Sequence, residues 1–170
     1  MFEKNEYIVY GITGVCRVKD ISPLEGTGMR GTNQQRLYYF LQPVHAKGEK
    51  IFTPVDNQKI PMRRVLSKEE ASQLLDLMPG IEELWVDDEK LREASYKTAI
   101  KSCDCREWIR VIKTLYLRKQ ERISMGKKLT TVDERYFQKA KENLYSELAV
   151  SLDMKEDEVE DYILNRLEQA

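Results

Sequence analysis

One helix-start signal recurs four times in the chain, and it begins only after residue 66. The signal is a capping box, in which a Ser, Thr or Asp side chain accepts a hydrogen bond from the first helical turn and an acidic residue three positions later returns one. It occurs at Ser67–Glu70, Asp104–Glu107, Thr131–Glu134 and Asp153–Glu156. A further helix is predicted to start near Asp87 or Asp88, whose carboxylate can cap free N–H groups. The second part of the chain is therefore predicted to be all helical, with about five helices.

Before residue 66 the apolar pattern has a period of two and is interrupted by turns. Segments rich in β-branched and aromatic residues are separated by glycine- and proline-containing connections. Five short strands are predicted, at 6–10, 15–21, 37–41, 49–54 and 62–66. Strands of this length and spacing fit a small, strongly bent antiparallel sheet or barrel. The predicted fold class is α+β, with a β domain over 1–66 and a helical domain over 67–170.

Charge alternates in blocks along a chain whose formal net charge is only −1. The blocks 1–66, 67–90, 91–148 and 149–170 carry formal charges of +4, −6, +6 and −5. With 41% hydrophobic residues, the chain can form a core. No apolar run approaches the roughly 20 residues of a membrane-spanning helix, and the first residues lack the pattern of a signal peptide. Three cysteines suit a reducing compartment, so we expect a cytoplasmic protein.

Residue types that carry catalysis or bind metals are sparse. His45 is the only histidine, and no Ser or Cys stands in a nucleophile motif. One residue separates Cys103 from Cys105, whereas metal-binding thiol pairs usually have two residues between them and a second ligand pair elsewhere. Asp104, between the cysteines, is predicted to be a helix cap. We therefore expect a protein that is not an enzyme and needs no metal or cofactor, with zinc or thiol chemistry at the two cysteines as a minor hypothesis.

Basic residues recur at helical spacing between residues 91 and 122. Three pairs of like charge lie four residues apart, at Lys97–Lys101, Arg106–Arg110 and Arg118–Arg122, and Lys119 adjoins the last pair. Each pair costs a helix about 0.2–0.5 kcal/mol. Three such pairs favour an anionic partner, for which each phosphate contact would add salt dependence to binding. The alternative is a solvated helix face.

The two tryptophans lie in different surroundings. Trp108 belongs to an apolar helix face and is predicted to be core. Trp85 lies in an acidic segment with few apolar neighbours, so its ring either covers the core or is exposed to a partner. The sequence leaves both alternatives open.

Several stretches, taken together, resemble a known family. The first is Val9–Val15, a strand with a glycine turn, and the second is Ile51–Val55, a strand that ends near a proline. The third spans Tyr96–Arg122 and continues at Ala140–Ala149. In this order they resemble the CarD/CdnL family of bacterial RNA-polymerase-binding transcription regulators, whose N-terminal module is shared with the transcription-repair coupling factor. The resemblance covers nearly the whole chain.

The resemblance implies how such a protein would reach RNA polymerase. Its N-terminal module would be a Tudor-like sheet that docks on the lobe of the polymerase β subunit by pairing strand edges. The docking edge maps to Lys50, Ile51, Phe52 and Thr53. Phe52 stands where the family has a polymerase-facing arginine, so this contact is expected to be more apolar.

The resemblance also implies contact with promoter DNA at the upstream fork of the transcription bubble. There a tryptophan inserts into the minor groove as a wedge while basic residues hold phosphates. With the basic helices included, the expected DNA-binding residues are Trp85, Arg92, Lys97, Lys101, Arg118, Lys119 and Arg122. In the family, arginines closely follow the tryptophan, whereas here Val86-Asp87-Asp88-Glu89 follows Trp85. Trp85 is thus either the wedge, with a longer segment between it and the following helix, or a ring turned inward.

Two functions remain open from the sequence. The first is a monomeric, non-enzymatic regulator that binds the polymerase β subunit and stabilises the open promoter complex. The alternative is a protein–protein adaptor that binds polymerase or another partner without touching DNA. The acidic segment 67–90 and the near-neutral net charge favour the adaptor.

Overall fold

A computed structural model describes residues 1–24, 36–86 and 88–168 of the chain. The chain divides into two compact units, Met1–Val65 and Leu66–Ala170. We call them the β unit and the helical unit. In the residues that the structure describes, the first unit contains a five-stranded antiparallel sheet and the second contains five helices, which confirms the predicted α+β class.

The sheet of the β unit has the strand order β4-β3-β2-β1-β5, with antiparallel neighbours throughout. Its strands are β1 (Tyr7–Tyr10), β2 (Gly14–Pro23), β3 (Leu37–Pro43), β4 (Ile51–Pro54) and β5 (Met62–Arg64). Because side chains alternate between the two faces of a strand, one face supplies a buried cluster of Ile8, Tyr10, Cys16, Val18, Tyr39 and Leu41. All five predicted strands are present, and within the described sheet β4 and β5 are the outer ones.

Two local features shape this sheet. The connection from β1 to β2 uses Gly11 and Gly14, which have φ angles of 45° and 85°, a region that L side chains rarely adopt. A Cβ on Gly11 would lie 2.7 Å from Cγ2 of Ile60, so a larger residue would also clash. Along β2, the register with β3 shifts between Val18 and Asp20. Such an irregularity increases local twist and bends the strand.

The helical unit contains α1 (Lys68–Leu77), α2 (Glu89–Lys101), α3 (Cys105–Ser124), α4 (Thr131–Ser151) and α5 (Glu156–Glu168). Part of its core is a cluster from α2, α3 and α4, formed by Tyr96, Ala99, Val111, Leu115, Phe137 and Ala140. Trp108 is fully buried, and its Nε1 donates a hydrogen bond to the Ile100 carbonyl oxygen at 3.3 Å. The prediction that Trp108 is core is therefore confirmed.

The first two predicted capping boxes differ in how completely they form. At α1 both hydrogen bonds of the box between Ser67 and Glu70 are present. At α3, Asp104 caps the helix as predicted, accepting from the backbone N–H two residues later. Glu107, however, accepts hydrogen bonds from Arg110. The Glu107 carboxylate, which was predicted to complete the capping box, therefore pairs with Arg110 on the same helix.

The predicted starts of the last two helices are wrong by one residue at α4 and by two residues at α5. The cap of α4 is Thr130, whose hydroxyl accepts from the Asp133 N–H at 3.1 Å, so Thr131 is the first helical residue. Helix α5 begins at Glu156, whereas Asp153, the predicted cap, has a φ angle of 52° that belongs to the preceding turn. The sequence pattern does not distinguish which of two adjacent threonines caps a helix, nor whether an aspartate caps a helix or belongs to the turn before it.

A buried carboxylate fixes the start of the helical unit. Glu147 on α4 has no exposed surface. Its Oε2 accepts a hydrogen bond from the Leu66 backbone N–H at 2.9 Å, and its Oε1 accepts one from Cys105 Sγ at 3.0 Å. Through Glu147, Leu66, the residue before the α1 cap, is linked to the N-terminus of α3 and to α4. Because buried donors need acceptors, these contacts are expected to contribute strongly to stability.

We expect Glu147→Ala to lower the free energy of unfolding of the helical unit by about 3 kcal/mol, since two buried donors lose their acceptor and a cavity opens. Urea denaturation followed by helical ellipticity measures the effect. Glu121→Ala, at an exposed position on α3, serves as the matched control and should change stability by less than about 0.5 kcal/mol. Equal midpoints for the two variants would contradict this role of Glu147.

Candidate functional site

Among the large apolar side chains that the structure describes, Trp85 is the most exposed, with 87% of its surface accessible. It lies in the segment 81–86, which connects the end of α1 to α2 and has no helix or strand structure. The preceding residue, Leu84, is partly buried and packs against the cluster that contains Tyr96 and Leu115. Of the two alternatives left by the sequence, the structure therefore supports the exposed ring, and the core-covering alternative is wrong.

Two polar side chains of α3 hold this segment on the helix. The Leu84 backbone N–H donates to Thr114 Oγ1 at 2.8 Å, while the same hydroxyl donates to the Arg110 carbonyl oxygen at 2.7 Å. Lys113 Nζ donates to the carbonyl oxygens of Met78 and Ile81 at 2.5 and 2.6 Å. An ammonium group that satisfies carbonyl oxygens after α1 stabilises this chain reversal. The backbone on the N-terminal side of Trp85 is thus fixed at several points.

The Trp85 ring borders an open depression of about 500 Å³. Arg92, the first arginine of α2, lines the same depression, together with Thr114, Leu117 and residues 83–86. Tyr96 lies one turn after Arg92 in the core, where burial raises the pKa of its hydroxyl and the nearby Arg92 cation opposes that rise. The structure therefore brings together two of the predicted DNA-binding residues, an exposed aromatic ring and a half-buried guanidinium group.

Lys97 and Lys101 lie on another stripe of α2. Both are exposed, and they are one helical turn apart. Because each residue rotates about 100° around an α-helix, Lys97 is about 140° away from Arg92. The two lysines form an exposed cationic pair on the helix that follows Trp85, but they do not line its depression.

The other three predicted DNA-binding residues have contacts within the helical unit. Arg118 is 19% exposed and pairs with Asp133 at 2.7 Å and with Glu89 at 3.7 Å. Arg122 Nε donates to the Lys128 carbonyl oxygen at 2.6 Å. Lys119 Nζ lies 5.9 Å from the centroid of the Phe137 ring. Arg118 therefore supports the packing of α3 with its neighbours, and Arg122 holds the loop that follows α3, roles that the charge pattern did not reveal. Lys119 is at the outer limit of a cation–π contact and stays available to a partner.

The predicted docking edge corresponds to the outer strand β4. In the described sheet β4 pairs with β3, where Phe52 faces Phe40 across the strands and the ring centroids are 4.8 Å apart. Ile51 packs against the sheet core and Thr53 is 2% exposed, whereas Phe52 between them is 40% exposed. Lys50 is exposed just before the strand. This alternation leaves the Phe52 ring and the outer backbone edge of β4 accessible within the described β unit.

An open depression of about 390 Å³ lies beside this edge. Residues from β2, β3 and β4 line it, among them Lys19, Phe40, Gln42, Lys50 and Phe52. The rings of Phe40 and Phe52 line it together with two lysines and two acidic residues, Asp20 and Glu49, so its lining is mixed in charge. A strand that paired with β4 could place a side chain in this depression.

The remaining candidates, the cysteines, are buried. Cys105 donates to Glu147, as described above, and Cys103 has a φ angle of 61° in the turn before α3. Within the described residues, no group of three or more His, Cys, Asp or Glu side chains could hold a metal ion. In that same part of the chain, no helix is long and apolar enough to cross a membrane.

Comparison with known families matches both parts of the chain. Residues 2–66 match the model described as the CarD-like/TRCF RID domain, and residues 82–164 match the CarD C-terminal domain. The chain belongs to the CarD family. CarD-like proteins are non-enzymatic transcription regulators that interact with RNA polymerase. Comparison with curated proteins found no match.

The CarD assignment confirms the family that the sequence resembles, and it places the two sites in different domains. The β4 edge lies in the region matched by the CarD-like/TRCF RID domain. Trp85, Arg92 and the lysines of α2 lie in the region matched by the CarD C-terminal domain. Sequence reasoning missed Lys113 and Thr114, which anchor the Trp85 segment. No sequence signal could have identified them, because their partners are about thirty residues away and lack regular structure.

Proposed function

We propose that this CarD-family protein docks on the polymerase β subunit through the outer edge of β4 and contacts promoter DNA through Trp85, Arg92, Lys97 and Lys101. Trp85 inserts at the upstream edge of the bubble, where the bases are already unstacked, and the cations hold nearby phosphates. Because the ring gains more contact with melted DNA than with closed duplex, binding shifts the equilibrium toward the open complex.

The observation that carries this proposal is the exposure of Trp85 on an anchored segment beside Arg92. An exposed tryptophan forgoes the large gain of burying its ring, so it is more informative than an exposed charge. The hydrogen bond from Leu84 to Thr114 holds the adjacent backbone. A wedge needs such an anchor, because a freely moving ring would lose conformational entropy on insertion.

Removal of the exposed lysine pair should weaken the DNA contribution to complex formation in a salt-dependent way. We expect Lys97→Ala/Lys101→Ala to reduce the slope of log K against log salt by about 2, because each lost phosphate contact removes roughly 0.9 from it. The measurement is fluorescence anisotropy on forked promoter DNA with polymerase present. Lys68→Ala/Lys155→Ala removes the same charge from exposed positions outside α2 and should leave the slope unchanged.

The adaptor function remains a second candidate because of one specific observation. Arg118 and Arg122, which the sequence assigned to DNA, are held by Asp133 and by the Lys128 carbonyl oxygen. Fewer available cations mean a smaller electrostatic contribution to DNA binding. If the DNA contribution of the unaltered protein shows no salt dependence, the adaptor function is correct and the DNA contact is not.

A further inference from the structure

A second surface of the helical unit has the features of a binding groove. Helices α3, α4 and α5 border an open groove of about 650 Å³, together with Met78 and Pro79. This volume is within the roughly 300–1,000 Å³ of ligand-binding clefts. Aromatic and aliphatic side chains dominate its walls, among them Ile112, Tyr116, Phe137, Tyr145, Ile163 and Leu164. The groove and the Trp85 depression have no lining residue in common.

Two apolar side chains on the wall of this groove are left largely exposed. Tyr116 and Leu164 remain 53% and 52% exposed, beside the buried Phe137 and Ile163. Exposed apolar side chains that cluster around a concavity, rather than standing alone, indicate an interaction site. The groove therefore offers an apolar surface to a partner.

The charged groups around the groove are mainly cationic. Lys119 and Lys141 place their ammonium groups 5.9 and 4.5 Å from the centroid of the Phe137 ring. Among the ion pairs of the described residues, none includes Lys119 or Lys141. A third cation, Lys113, is hydrogen bonded to backbone carbonyl oxygens, and Glu160 supplies a carboxylate. Two ammonium groups thus remain available for an anionic partner beside the apolar wall.

We propose that this groove binds an acidic amphipathic helix of a protein partner. Its apolar face packs on Tyr116 and Leu164, and its carboxylates pair with Lys119 and Lys141. Helix-in-groove binding requires this combination of an apolar concavity and complementary charge. A DNA backbone fits less well, because phosphodiesters gain nothing from the aromatic and aliphatic walls.

Tyr145 adds a hydrogen-bond donor to the groove. Burial, with a smaller contribution from the Glu160 carboxylate, raises the pKa of Tyr145 to about 12. Its hydroxyl therefore stays protonated at neutral pH and can donate to a carboxylate or carbonyl oxygen of the bound helix. This surface goes beyond the proposed docking on polymerase and DNA, since neither the β4 edge nor Trp85 contributes to it.

The probe for this proposal is a fluorescein-labelled synthetic peptide of about 15 residues, which forms four helical turns with leucines on one face and glutamates on the other. Anisotropy titration with the full chain should give saturable binding. A matched peptide with lysine at every glutamate position should bind at least about tenfold more weakly, a difference of about 1.4 kcal/mol. A peptide with serine in place of leucine should not bind.

Variants of the protein locate the site. We expect Leu164→Asp to weaken binding of the acidic peptide at least about tenfold. Leu91→Asp, at a similarly exposed leucine of α2, should leave it unchanged. Lys141→Glu should also weaken binding, with Lys127→Glu as its exposed control. Thermal melts verify that Leu164→Asp is folded.

Several results would overturn the proposal. The first is that the acidic peptide does not bind, and the second is that it binds Leu164→Asp as tightly as the unaltered protein. The third is that Leu164→Asp loses binding to forked DNA, which would assign the groove to nucleic acid. Concentration-dependent dimerisation that Leu164→Asp abolishes would identify a second copy of the chain as the occupant. The polymerase and open-complex assays do not involve the groove, so their failure is distinguishable from failure here.

Discussion

Replacement of Trp85 by alanine is expected to shorten the lifetime of the open promoter complex by about tenfold or more, with polymerase binding intact. Stacking of a base on an aromatic side chain contributes about 1–3 kcal/mol, and the proposed wedge would make this contact only when the duplex is open. The loss should therefore appear as faster collapse of the open complex. Challenge of preformed complexes with a polyanionic competitor, followed over time, measures the lifetime.

The exposure of Trp85 allows the functional effect to be separated from a folding defect. With 87% of its surface accessible, Trp85 contributes little to the core, so Trp85→Ala should change the free energy of unfolding by less than about 0.5 kcal/mol. Trp85→Phe retains a ring and should preserve part of the lifetime. An unchanged lifetime in Trp85→Ala would reject the wedge.

Two of the acidic residues that follow Trp85 and depart from the family pattern, Asp88 and Glu89, have structural roles. Asp88 caps α2 by accepting from the Lys90 N–H at 2.9 Å. Glu89 lies 3.7 Å from the Arg118 guanidinium group. Carboxylates that are capping or paired repel a phosphate less than free ones do. The acidity of this segment is therefore compatible with a DNA contact at Trp85.

The sequence predicted local features well because local chemistry decides them. The five strands follow the period-two pattern, and the cap at Ser67 follows from a side chain that satisfies N–H groups within its own turn. The start of α4 was misplaced because Thr130 and Thr131 can both cap, and the start of α5 because Asp153 belongs to a left-handed turn before the helix. In each case the deciding interaction lies within a few residues, so the error is also only a few residues.

The contacts of the predicted site residues could not be predicted from the sequence, because distant partners decide them. Arg118 looked like one more cation in a basic helix, but Asp133, fifteen residues away, lies 2.7 Å from it. Trp85 looked like a candidate for the core, but Leu84 packs inward and Thr114 binds its backbone N–H. Periodicity identifies which face a helical residue occupies, but it does not identify which long side chains meet across elements.

The second large effect is expected at the β4 edge, where Phe52→Glu should weaken binding to a β-subunit lobe fragment at least about tenfold. The exposed part of the Phe52 ring is expected to contact the docked strand. Full burial of such a side chain is worth about 1.5–3 kcal/mol; because Phe52 is 40% exposed, covering the rest is worth about 0.6–1.2 kcal/mol, or about three- to eightfold in affinity. A carboxylate in its place must also be desolvated beside backbone carbonyl oxygens. Biolayer interferometry with the immobilised fragment measures the loss.

The matched control for Phe52→Glu is Ile12→Glu, which changes a similarly exposed apolar residue. Ile12 lies in the turn between β1 and β2, and β3 separates both of these strands from β4 in the sheet. Ile12→Glu should bind like the unaltered protein. Phe52→Ala should lie between the two, because it loses the ring contact without adding charge. Because Thr53 and Ile51 point to the other face and keep the strand in the core, all three variants should fold. If Phe52→Glu binds the fragment as tightly as Ile12→Glu, polymerase does not dock at this edge.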